Sequence, residues 1–162
     1  MDESSFRRPE RPRGRTGDDR GPDEKGAAQR RCCFPDALGA RVAGCTMAVK
    51  ARRQYRRAVY CADSRAHGTC VKWLEQVRNA ARFSLGTPRT PSALPRRTAA
   101  RLQCGGLLGL GELIEKQPVT RVQDVSVLLR QALTRYGSFD RVPLQALVKK
   151  IHDLDIDGPK KP

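Results

Sequence analysis

The chain has 162 residues, of which 38% are hydrophobic and 30% charged, with six cysteines and a formal net charge of +15. That length accommodates one domain plus a tail, and no stretch approaches the roughly 18 consecutive apolar residues of a membrane span. The charge is concentrated: residues 32–104 hold fourteen basic and three acidic side chains, whereas 1–31 and 105–162 each hold nine and seven, so the middle of the chain is expected to attract nucleic acid or an acidic protein surface.

Residues 1–31 are rich in Arg, Pro, Gly and Asp, with Phe6 as the only large apolar side chain after Met1, and are expected to form a disordered tail. They lack the apolar core of a secretory signal, which places the expected location in the cytoplasm and turns six cysteines toward metal ligation, redox chemistry or packing rather than disulfides. "CCFPDALGARVAGC" has no helical period, and Pro35, Gly39 and Gly44 predict a loop or short hairpin that carries thiols.

In "TMAVKARRQYRRAVYC", Met47, Ala51, Tyr55 and Val59 recur every four residues, with Arg52, Arg53, Arg56 and Arg57 off that stripe, which predicts a basic amphipathic helix. "YCADSRAHGTC" then reads as a loop leading to a second helix, with Val71, Leu74, Val77, Ala81 and Leu85 on one face. Thr69 is its expected N-cap and Gly86 its stop. Cys70 would then sit in the first turn, where the helix dipole favours thiolate.

Residues 87–99 are Pro-rich and read as a linker. Alternation at Ala100, Leu102 and Cys104 predicts a short extended segment, followed by a buried helix through Leu107, Leu108, Leu110, Leu113 and Ile114. The glycines of "GGLLGLGE" lack the P-loop ending, so close helix packing explains them better than phosphate binding. Helical spacing from Val122 to Tyr136, with Thr120 and Gln123 as a capping box and Gly137 as a stop, predicts another helix. A last one follows Pro143, through Leu144, Leu147, Val148, Ile151 and Leu154, as the antiparallel partner of its predecessor, and 158–162 reads as a frayed end.

The chemistry rests on cysteine. Cys33, Cys45, Cys61 and Cys70 supply the four thiolates that an iron–sulfur cluster or a zinc ion needs, with Cys32 or His67 as possible substitutes. The gaps of eleven, fifteen and eight residues match neither the paired spacing of zinc knuckles nor a compact ferredoxin run, so the ligands would have to converge through folding. Cys104 reads equally as a fifth thiol near the site or as a small residue at a close backbone approach, and His152 as surface. No nucleophile–base–acid order stands out.

The expected protein is therefore mainly α, a small helical domain over 32–157 with a cysteine-bearing loop region and a disordered N-terminal tail. Its cysteine-rich basic part is 32–86 and its helical part 100–157. The expected function is a non-enzymatic accessory or regulatory protein carrying a cysteine-ligated metal site on a basic surface, with an iron–sulfur cluster ahead of zinc. The alternatives are a nucleic-acid-binding protein, contacting phosphate through Lys50, Arg52, Arg53, Arg56 and Arg57, whose cysteines only pack, and a thiol-redox protein.

Overall fold

The computed structural model describes residues 30–53, 56–86 and 94–155, with the backbone alone at Arg52, Arg53, Arg56 and Arg57. In chain order the described elements are helix α1 (Pro35–Gly39), strands β1 (Ala48–Arg53) and β2 (Arg56–Cys61), and helices α2 (Ser64–Ala81), α3 (Arg96–Glu115), α4 (Val125–Tyr136) and α5 (Leu144–Asp153), with a 3-10 turn at Phe139–Arg141. The fold is mainly α with one two-stranded antiparallel sheet. The expected tail lies outside the described residues except at its end: Arg31 bridges Tyr60, so ordered structure begins before Cys32. Residues 87–93 of the expected linker and the expected frayed end, 158–162, also lie outside the described residues.

α3 is the centre of the molecule. Every residue from Leu102 to Gly111 is buried, which a helix achieves only when it is enclosed by neighbours on all sides. Its glycines make the enclosure tight. A Cβ on Gly105 would stand 2.7 Å from the Ile151 Cα, and one on Gly109 would stand 3.1 Å from Leu147, so this i, i+4 pair receives α5. Gly106 faces Val77 of α2, and Gly111 faces Val119. The expected extended segment at Ala100–Cys104 is instead helical from Arg96, because Leu102 and Cys104 both bury within an enclosed helix and a two-residue alternation is no guide there. α5 packs mainly on α3 and then α2, rather than on α4 as expected. Trp73 of α2, fully buried, meets the Phe139 ring at a centroid distance of 5.2 Å and ties the 3-10 turn to the core.

The expected basic helix is a β-hairpin, with Ala48 opposite Cys61 at one end of the ladder and Arg53 opposite Arg56 at the other. The stripe does not survive as one face: Val59 pairs with Lys50 and Ala51 with Ala58, so Ala51 and Val59 lie on opposite faces of the ribbon. Val49, Val59 and Tyr60 are strand formers, and β2 gains a further neighbour on its outer side: Cys32 N–H donates to Val59 O and Cys61 N–H to Arg30 O, each at 2.9 Å. Tertiary pairing therefore selects the strand.

Helix starts also differ from expectation. Asp63, not Thr69, caps α2, its carboxylate accepting from Ala66 N–H at 2.7 Å, and α2 ends at Ala81 before a turn to Gly86. Asp124, not Thr120, caps α4, accepting from Ser126 N–H at 2.7 Å and Val127 N–H at 3.1 Å, while Val122 leaves the helix to bridge Ala43. Gly137 closes α4 with φ 77°, as expected.

Two glycine substitutions should move stability in opposite directions. Gly105→Ala forces α5 away from α3 and is expected to cost about 1–3 kcal/mol. Gly68→Ala, within α2 where a Cβ meets open space, should add about 0.5–1 kcal/mol. Thermal denaturation of the two variants beside the wild type checks both signs.

Candidate metal centre

Four separate stretches of chain bring cysteines to one place. Cys32 and Cys33 precede α1 on the segment paired to β2, Cys45 follows the Val42–Gly44 stretch, Cys61 ends β2, and Cys70 lies in the second turn of α2. All five, together with His67, line a single small cavity that opens to solvent, whose other walls include Phe34, Leu38, Met47, Tyr60 and Val125. All six cysteines are free thiols. Cys104 does not line the cavity: it is 1% exposed within the α3 core, a small apolar residue at a packed position.

Two of the cysteine-bearing segments are each held by one polar side chain from the helical core. The buried Gln103 of α3 accepts from Asp36 N–H at 2.8 Å and Ala37 N–H at 3.3 Å through Oε1, and donates from Nε2 to the Asp36 carboxylate at 3.0 Å. It thereby satisfies the first amides of α1 and fixes the segment that carries Cys32 and Cys33. Asp124 does the same for Cys45, because its other oxygen accepts from Thr46 N–H at 2.8 Å. Backbone bonds from Gly44 N–H to Val122 O and from Val125 N–H to Gly44 O, each 2.9 Å, complete that anchor.

The electrostatics of the cavity are those of crowded thiols. Desolvation pushes Cys33 up to about 11, with the charges of Cys32 and Cys61 adding to it. Cys70 is raised further, first by burial and then by Cys33, Cys45, Cys61 and Cys32. Burial also raises Cys32 and Cys45; Cys45 and Cys61 add to the first, and Asp124 and Cys61 to the second. Cys32, Cys45, Cys61 and Cys70 are thus coupled in every pairing. The expected dipole activation of Cys70 does not operate, because the residue lies beyond the first turn of α2, where the dipole has faded, and burial dominates.

Local amides oppose the burial. Phe34 N–H donates to Cys32 Sγ at 3.4 Å and lowers its pKa, and the backbones of Met47 and Ser126 act likewise on Cys45. Cys61 Sγ donates to Asp63 O at 3.1 Å. His67 Nε2 stands 3.0 Å from Arg31 O and 3.6 Å from Cys33 Sγ. Among the described residues no three His, Cys, Asp or Glu side chains are drawn together as ligands of one ion.

Of the other residues singled out in the sequence, Lys50 is exposed on β1, and the backbones of Arg52 and Arg53 on β1 face those of Arg57 and Arg56 on β2. The register brings them together at the end of the hairpin away from Cys61. His152 is exposed, as expected. Gln103 and Asp124 were the residues missed. A glutamine inside the apolar run "ARLQCGGLLGLG" was a signal for a buried polar anchor, and Asp124 directly before "VSVLL" was a better cap signature than Thr120. Among the described residues no helix is long and apolar enough to cross a membrane. Comparison with protein-family models, curated proteins and solved structures finds no match.

Asp124 gives the anchor a pH dependence. Burial works to raise its pKa, but hydrogen bonds from Thr46, Ser126 and Val127 outweigh it and hold the carboxyl well below the ordinary carboxylate value. A depressed folded-state value means that the Asp124 contribution is complete above about pH 4 and disappears as pH falls through the folded value. Asp124→Ala is expected to cost about 1–2 kcal/mol at pH 7. The gap between wild type and variant in urea midpoint should narrow when the measurement is repeated at successively lower pH.

Proposed function

We propose that the protein is a non-enzymatic accessory or regulatory factor that binds an iron–sulfur cluster in the cysteine-lined cavity. The observation that carries the reading is the convergence of five thiols from four stretches of chain on one cavity that excludes the sixth. Packing alone accounts for Cys104, but it gives no reason to gather the other five, whose charges raise one another. Such a group is stable either fully protonated or around a cation that takes up the thiolate charge. The basic excess of residues 32–104 eases the second state, and amides aimed at Cys32 and Cys45 are the donors that stabilise ligating sulfur.

A cluster is favoured over zinc. One zinc ion with bonds of about 2.3 Å draws its four sulfurs to within about 3.8 Å of each other. A four-iron cluster assigns each thiolate to a different iron, which suits sulfurs distributed around a cavity wall with an apolar surround. A thiol-redox role is less favoured, since burial raises the thiols and leaves little nucleophilic thiolate at neutral pH.

The test is anaerobic purification of the full chain, with iron, sulfide and zinc analysis and a visible spectrum. Iron and sulfide in equal amounts with a brown colour are expected; a colourless, metal-free but folded protein overturns the proposal. Because each ligand must release its proton, retention of the cluster should weaken as pH falls from 8 to 6 in a chelator challenge.

A second reading rests on the hairpin. Its register sets Arg52 opposite Arg57 and Arg53 opposite Arg56, so four basic positions fall at one end of the ribbon, a concentration of charge that attracts a polyanion. A two-stranded ribbon is also an element that the DNA major groove admits. Binding of a duplex oligonucleotide should fall steeply with salt, and replacing Arg52 and Arg57 by alanine should reduce the log–log slope by about two. Binding that is absent at low salt removes this reading.

A further inference from the structure

Five thiols and an imidazole line a cavity in which a cluster takes four ligands. Resting on the cluster reading above, we propose that the ligands are Cys32, Cys45, Cys61 and Cys70, and that Cys33 remains a free thiol beside the loaded cluster, hydrogen bonded by His67. This departs from the sequence-based choice of Cys33 over Cys32.

The argument begins with His67. Its Nε2 is 3.0 Å from Arg31 O, a carbonyl oxygen that can only accept, so Nε2 carries the proton and has no lone pair to give to a metal. The same N–H faces Cys33 Sγ at 3.6 Å, which makes the sulfur a secondary acceptor of that donor. Cys33 is therefore occupied by a group on the cavity rim, where Arg31 is exposed and His67 is half-buried.

Cys32 has the opposite surroundings. Its backbone is fixed by the bond to Val59 O, and its sulfur takes the Phe34 amide at 3.4 Å, a donor that remains useful when the sulfur is a ligated thiolate. The remaining ligands come from one position each on three different elements: Cys45 beside the Asp124 anchor, Cys61 at the end of β2 and Cys70 on α2.

The test compares alanine variants, because serine could itself ligate iron, in the full chain reconstituted anaerobically with iron and sulfide. Cys33→Ala and His67→Phe are expected to keep wild-type iron content and visible absorption. Cys32→Ala is expected to lose more than half of both, while circular dichroism shows all three variants folded. Loss of iron from Cys33→Ala with retention in Cys32→Ala overturns the assignment but keeps the cluster. A wild type that takes up no iron overturns both.

Discussion

The structure depends on how closely α3 is approached by its neighbours. Gly105 and Gly109 let the α5 backbone and side chains come within a distance that no larger residue permits, and Gly106 does the same for Val77. Each glycine inside a helix costs roughly 0.5–1 kcal/mol of conformational stability, which the dispersion contacts of an enclosed helix must offset. The result is a rigid post with buried residues all round. Everything that bears on the cavity hangs from that post or from α4 beside it.

The attachments are few and polar. Gln103 reaches out of the post to hold α1, and Asp124 reaches from the start of α4 to hold the Cys45 segment. Both side chains meet backbone amides, so they fix where the chain runs without depending on which side chain the chain carries there. Cys70 needs no such device, because α2 is already packed against α3 through Val77 and Gly106. The cavity is thus framed by three independently fixed pieces of backbone, and the thiols are the only feature common to them.

Much of the helical frame was legible in the sequence, because buried helices leave a period of 3.6 and a glycine at the stop: Leu128, Leu129, Ala132 and Gly137 were placed correctly. The hairpin was not. Its stripe at every fourth residue matches a helix, and what decides for the strand is the pairing of β2 with β1 and with Arg30–Cys32, the latter a contact about thirty residues away in the chain that no local window contains. The cysteine set was legible as a count but not as a geometry. Spacings of eleven, fifteen and eight residues carry no information about direction until the hairpin and α2 are in place, which is also why Cys32 and Cys33 could not be told apart.

The position of the cavity has a consequence for how the two halves of the fold relate. The core is built from α2, α3, α4 and α5, with Trp73, Leu107, Leu110 and Leu129 fully buried within it, and none of these side chains lines the cavity. The segments that flank the hairpin, by contrast, are tied to the core by Gln103 at Asp36 and Ala37 and by Asp124 at Thr46. A two-stranded ribbon has little stability of its own. A ligand that bonds Cys61 at the foot of the ribbon to Cys70 on the core would therefore contribute its binding energy mainly to the ribbon. On the cluster reading, occupancy of the cavity and order of the hairpin would then be linked in one equilibrium.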